Sequence, residues 1–119
     1  MVNSVLVIDD DAAFRDLARR MLGADGFAVV GEAETVAAAI VAVHELRPDA
    51  ALVDIGLPDG DGISLALQLS SLPWRPHIVL TSADPDAADA DDVRRSGARA
   101  FVAKDLLPNA PLRHLLNSR

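Results

Sequence analysis

Acidic side chains stand where two apolar runs end. Asp9 and Asp10 follow Val5-Leu6-Val7-Ile8, and Asp54 follows Ala51-Leu52-Val53. A hydroxyl, Thr81, follows Ile78-Val79-Leu80, and an amine, Lys104, follows Ala100-Phe101-Val102-Ala103. Clustered carboxylates repel one another and call for a cation, whereas a lysine and a threonine beside them can hold an anion. A divalent metal ion together with a phosphoryl group answers both demands. Such chemistry needs all four stretches to meet in one place.

The elements that carry these residues make that meeting plausible on physical grounds. Short, wholly apolar runs bounded by turn residues read as strands covered on both faces. The spacing predicts five strands: Val5–Ile8, Ala28–Val30 near the sheet edge, Ala50–Val53, Ile78–Leu80 and Ala100–Ala103. Helical spacing falls between them. Asp11 caps a first helix with Phe14, Leu17, Ala18, Met21 and Leu22 on one stripe, and Thr35 caps a second with Val36, Ala39, Ile40 and Val43. A third helix opens at Asp61 or Gly62 and runs to about Leu72, with Leu65, Leu69 and Leu72 as core or partner surface. A fourth is expected over Asp84–Ser96, where Asp84, Asp86, Asp89, Asp91 and Asp92 would repel one another. Asn109 is expected to cap a closing helix that carries Leu112, Leu115 and Leu116.

Strands alternating with helices imply parallel pairing and right-handed crossovers. The fold class is therefore α/β: a doubly wound five-stranded parallel sheet with helices on both faces. The flavodoxin-like order 2-1-3-4-5 is the leading arrangement, and its ligand crevice opens at the carboxyl ends of strands 1 and 3. Asp9, Asp10 and Asp54 come from those two strands.

Bulk properties narrow the function further. The 119 residues make one domain, spanning 1–119 and long enough to bury a core. No apolar run approaches the roughly 18 residues of a membrane span, and Met1-Val2-Asn3 opens no signal peptide. The absence of cysteine rules out disulfides and thiolate metal sites and fits a cytoplasmic location. A net charge of −7 argues against direct nucleic-acid binding by this domain.

The ordered set resembles the receiver domain of two-component response regulators, along the whole chain. Asp9-Asp10 is similar to the family's metal-binding acidic pair. Asp54 opens the stretch Asp54-Ile55-Gly56-Leu57-Pro58-Asp59-Gly60-Asp61-Gly62, which looks like the phosphoacceptor loop, with its proline and final glycine in register. Thr81 matches the fourth-strand hydroxyl, Lys104 the fifth-strand lysine, and Phe101 the aromatic that turns on activation. The resemblance implies Mg²⁺ held by Asp10 and Asp54 with the Gly56 carbonyl, and Asp9 on a metal water or the lysine. It implies Asp54 as nucleophile, Thr81 and Lys104 on the phosphoryl oxygens, and a Thr81–Phe101 switch read at the helix 4, strand 5 and helix 5 face. The phosphoryl donor would be a histidine kinase or phosphotransfer protein, the output a downstream target protein, and the state a monomer or phosphorylation-dependent dimer.

Three features qualify the match. Asp105 replaces the proline that follows the lysine in many receivers, so a cis peptide is not expected there. Small residues, Gly56 and Ala83, flank the acceptor and the hydroxyl and leave the phosphoryl lifetime open. The starting methionine and the lack of a trailing linker favour a stand-alone, chemotaxis-regulator-like receiver. The alternative is the N-terminal receiver of a DNA-binding transcriptional regulator. A metal-dependent phosphatase with an aspartyl nucleophile is a further class, weakened by Gly56 where such enzymes place a second acid. The expectation is therefore a switch and not an enzyme, apart from self-directed phosphoryl transfer and autodephosphorylation.

Overall fold

The apolar runs form one parallel sheet in the computed structural model, which describes residues 3–117. Met1 and Val2, read above for a signal peptide, lie outside the described residues. In chain order the elements are β1 Ser4–Ile8, α1 Ala12–Ala24, β2 Ala28–Ala33, α2 Val36–Leu46 and β3 Ala50–Asp54. A small antiparallel hairpin, β4 Gly56–Leu57 and β5 Gly60–Asp61, leads into α3 Gly62–Ser70. Then come β6 His77–Ser82, α4 Ala90–Ser96, β7 Ala100–Ala103, a 3-10 helix Lys104–Asn109, and α5 Leu112–Leu116. The main sheet has the order β2-β1-β3-β6-β7, which is 2-1-3-4-5 once the hairpin is set aside.

Alternation along each strand explains why the runs are apolar throughout. Leu6 and Ile8 enter one core with Ala51, Val53, Ile78 and Leu80, covered by Ala39 and Val43 of α2 and Leu65, Ala66 and Leu69 of α3. Val5 and Val7 enter the other with Ala50, Leu52 and Val79, covered by Phe14, Ala18 and Leu22 of α1 and Leu112 and Leu116 of α5. Successive side chains of a strand point to opposite faces, so a sheet covered on both sides needs apolar residues at every position. Leu65 and Leu69 are thus core. Leu17, placed on the buried stripe of α1 by spacing, is 48% exposed instead.

Register brings the site residues to one edge. Ile8 is level with Val53, Asp54 with Thr81, and Thr81 with Val102. Asp9 therefore emerges beside Asp54, and Lys104 emerges just beyond the level of Thr81.

Two helix boundaries differ from expectation. The fourth helix begins at Ala90 and not at Asp84. Asp84 precedes Pro85, which disfavours helical backbone, and its Oδ1 accepts the Asp86 N–H at 2.9 Å. The helix starts only where Asp89 and Asp92 form a reciprocal capping box. Its acids do not simply face one another: Asp91 pairs with Arg94, and Asp92 with Arg95 at 2.9 Å. Asn109 does not cap the last helix. It ends the 3-10 segment, and α5 starts after Pro111, with no side-chain cap. Pro108 and Pro111 restrict the residues before them, so a regular helix cannot begin earlier. Strand β2 also runs three residues past Val30, to Ala33, and β6 extends to Ser82. No described peptide bond is cis, that of Lys104–Asp105 included.

Candidate functional site

Asp9 sits at the centre of the sheet's carboxyl edge with no solvent exposure. Its Oδ1 accepts the Asp11 N–H at 2.8 Å. Its Oδ2 lies 2.8 Å from Lys104 Nζ, yet no aligned hydrogen bond reaches that oxygen. The contact is a close ion pair, and a carboxylate oxygen has room for a second partner. The Lys104 ammonium also lies 4.3 Å from the centre of the Phe14 ring, a cation–π contact that fixes its reach. Asp11 is spent on the helix: its Oδ1 accepts the Ala13 and Phe14 N–H groups at the start of α1.

Asp9, Asp10 and Asp54 each present a carboxylate oxygen within 4.8 Å of the others. Asp54 is buried at the end of β3, whereas Asp10 is exposed. Burial raises the Asp54 carboxyl above the usual carboxylate range, and the charge of Asp9 raises it further. Lys104 and a hydrogen bond from the Gly56 backbone pull the other way, while Asp10 adds to the rise. An acid in this state gains from a cation.

The loop that follows Asp54 is pinned at its base. The Gly62 N–H donates to the Ile55 carbonyl at 2.8 Å. A Cβ on Gly62 would lie 2.2 Å from the Asp54 carbonyl oxygen, so only glycine allows α3 to start so close to β3.

Thr81 is fully buried next to Asp54, but its hydroxyl donates to the Val102 carbonyl at 2.7 Å. Phe101, adjacent in sequence, packs half-buried against the core of Leu80 and Leu69. It also borders an apolar cavity of about 540 Å³ with Pro85, Leu106 and Pro111. The three carboxylates, Thr81 and Lys104 thus share one neighbourhood, with Phe101 one residue from the Thr81 hydrogen bond.

Three residues here have roles that their local sequence does not signal. Phe14, on the buried stripe of α1, also carries Lys104. Arg15 donates from Nη1 to the Asp9 carbonyl at 2.6 Å and pairs with Glu32 at 2.8 Å. The hydrogen bond from Arg19, with help from Arg15, holds the Glu32 carboxyl below its usual range. Asp59, in the hairpin turn, reaches a different helix altogether. None of these carried a local signal.

The donor set fits a magnesium ion. Three carboxylates converge, one buried oxygen lacks an aligned hydrogen bond, and every donor is a hard oxygen of the kind this ion prefers.

The family model of the response regulator receiver domain matches residues 5–116. The chain belongs to this family. Among curated relatives, the receiver is 41% identical over 104 residues to the DNA-binding transcriptional activator DevR/DosR of Mycobacterium tuberculosis, covering 86% of this chain and 48% of that protein. It is 32% identical to the chemotaxis protein CheY of Bacillus subtilis, with 87% of each covered. The chain spans about half the length of most of the first curated relatives that it matches. Of solved structures, the receiver domain of the putative response regulator NarL from Mycobacterium tuberculosis has a TM-score of 0.82 at 30% identity, covering 98% of this chain and 94% of that one. A putative response regulator from Chloroflexus aurantiacus has a TM-score of 0.83 at 23% identity and 98% coverage of both chains, a likeness of fold. Receiver domains of this kind are signal-transduction switches of two-component systems. No helix among the described residues is long and apolar enough to cross a membrane.

Proposed function

We propose that this receiver is a phosphorylation switch in which Asp54 is the phosphoacceptor. Asp54 itself carries the reading: it is a buried carboxylate with a raised pKa, within 4.8 Å of two further acids. The donor is a phosphohistidine on a sensor kinase or phosphotransfer protein. Its P–N bond breaks, a bond forms between phosphorus and an Asp54 carboxylate oxygen, and the released imidazole takes up a proton.

Mg²⁺ would be held by Asp10, Asp54 and the Gly56 carbonyl, with Asp9 holding a metal water or Lys104. When bound it supplies positive charge to the transferring phosphoryl group. Lys104 serves the same group as a fixed cation, its position set by Asp9 and Phe14. Thr81 gives up its bond to the Val102 carbonyl and donates to a phosphoryl oxygen. Phe101 then turns inward from the cavity edge, and the face of α4, β7 and α5 changes shape for a partner. Moving such an equilibrium from 1:99 to 99:1 takes about 5.5 kcal/mol. Charge-assisted hydrogen bonds of roughly 1.5–3 kcal/mol each can supply much of it.

The output is binding of a target protein in the cytoplasm by a monomer or a phosphorylation-dependent dimer. A second reading is that the chain is the N-terminal receiver of a DNA-binding regulator. It draws on the 41% identity to a DNA-binding activator about twice as long. Gly56 offers no proton donor beyond Asp54, which leaves phosphatase turnover unsupported. Incubation with a small phosphodonor and Mg²⁺, then intact mass and peptide mapping, tests the chemistry. One phosphoryl group on Asp54 is the expected result, lost in Asp54→Asn and in the presence of chelator. An unmodified wild-type protein would sink the proposal.

A further inference from the structure

Asp59 lies at the tip of the hairpin that follows the acceptor, yet its hydrogen bonds are made to another element. Oδ1 accepts the Val36 N–H at 2.7 Å, and Oδ2 accepts the Ala37 N–H at 3.1 Å. Both donors belong to the first turn of α2, where backbone N–H groups have no partner within the helix. Thr35 accepts the next one, from Ala38, at 3.0 Å. One helix end is thus capped twice, once from its own chain neighbour and once across the fold. The neighbouring Gly60 strengthens the attachment, since a Cβ there would come within 3.0 Å of Val36 Cγ2.

The turn so anchored belongs to the hairpin that carries Gly56. Gly56 is level with Asp61 and Leu57 with Gly60, so the two short strands are paired directly with each other. Leu57 is buried in the same core as Ala33 and Ala39. At the other end, Gly62 is locked against Asp54 and Ile55. The loop is held at its base by α3 and at its tip by α2, and Gly56 lies between the two anchors. Its backbone N–H bonds the Asp54 carboxylate, and its carbonyl is the ligand assigned above.

We propose that Asp59 is a positioning residue for the metal site, tying the acceptor loop to α2 so that the Gly56 backbone stays in place beside Asp54. The role rests on the reading of Asp54 as a metal-assisted phosphoacceptor. The two N–H groups keep the Asp59 carboxyl below its usual range, so the tie persists throughout the neutral pH region. A cap that served only the stability of α2 would act no differently from Thr35.

Calorimetric titration of the whole chain with MgCl₂ separates these roles. Asp59→Ala should raise the Mg²⁺ dissociation constant by about tenfold, the usual effect of removing a support behind a metal ligand. Thr35→Ala strips the same helix end of a cap without touching the hairpin, and should leave the constant unchanged. Asp59→Asn keeps one acceptor oxygen and should fall between Asp59→Ala and wild type. At saturating Mg²⁺ the maximal rate of phosphorylation by a small donor should recover in Asp59→Ala. Equal effects of Asp59→Ala and Thr35→Ala, or none from Asp59→Ala, would overturn the assignment while leaving Asp54 as acceptor. Wild-type protein that binds no Mg²⁺ would overturn the acceptor reading and Asp59's role with it.

Discussion

Lys104 Nζ lies 2.8 Å from Asp9 Oδ2, which joins residues from near opposite ends of the chain across the carboxyl edge of the sheet. Asp9 has no solvent exposure, and the Lys104 side chain retains 20%. Removing one partner of a buried pair leaves an uncompensated charge, which costs more than the pair contributes. Lys104→Ala should therefore lower stability by about 1–3 kcal/mol, less than a fully buried pair because Lys104 is partly solvated. Urea unfolding reads this directly. An unchanged midpoint would show that Asp9 is satisfied in some other way.

Asp54 should make the metal-free protein pH-sensitive. Its carboxyl is raised by burial and by the charge of Asp9, so the folded state holds the proton more tightly than the unfolded chain. The sign follows: its contribution favours folding most below the unfolded value of about 3.9 and is lost as pH rises through the higher folded value. Asp54→Asn should thus be more stable than wild type at neutral pH without metal, with the gain fading on acidification. Mg²⁺ at 100 times its dissociation constant should stabilise wild type by about 2.7 kcal/mol and leave Asp54→Asn nearly unmoved. Thermal unfolding with and without chelator measures both effects.

Two glycines make a matched comparison. A Cβ on Gly62 meets the Asp54 carbonyl oxygen at 2.2 Å and the Ile55 Cα at 2.6 Å, both backbone atoms that cannot swing aside. Gly62→Ala should cost about 1–3 kcal/mol through forced backbone shifts and weaken Mg²⁺ binding, because Asp54 must move. A Cβ on Gly23, near the end of α1, meets nothing within 4 Å. Gly23→Ala should be neutral or stabilise by about 0.5–1 kcal/mol. Denaturant midpoints of the pair would expose an error in either placement.

Thr81 and Phe101 should affect output by different routes. Thr81→Val removes the 2.7 Å bond to the Val102 carbonyl at nearly constant shape, for a loss of about 1 kcal/mol. Phe101→Ala should leave phosphorylation of Asp54 intact and uncouple it from partner binding. Pull-down of partners under phosphorylating conditions distinguishes the two variants from wild type. Unchanged capture by Phe101→Ala would remove Phe101 from the switch.

Much of this architecture is legible in one dimension. Runs such as Val5–Ile8 and Ala50–Val53 are apolar at every position because their strands are buried on both faces, so the doubly wound sheet follows from local pattern, whereas its order came from the leading arrangement for five such strands. Acids and a lysine placed just past such runs must emerge at one edge, which is why Asp9, Asp10, Asp54 and Lys104 can be picked out without coordinates. Local chemistry also governs the caps at Asp11 and Thr35, since each reaches only two or three residues ahead.

What lay beyond the sequence depends on distances between remote segments. Asp84–Asp89 looked helical by position, but Pro85 and side-chain bonds to the backbone stop the helix short of it. Asn109 looked like a cap, yet two prolines delay α5 until Pro111. That Thr81 bonds to Val102, that Phe14 carries the Lys104 ammonium, and that Asp59 closes α2 were decided only in three dimensions. Hydrogen bonds weaken steeply outside a narrow range of distance and angle, and only packing of both cores against the sheet sets those separations.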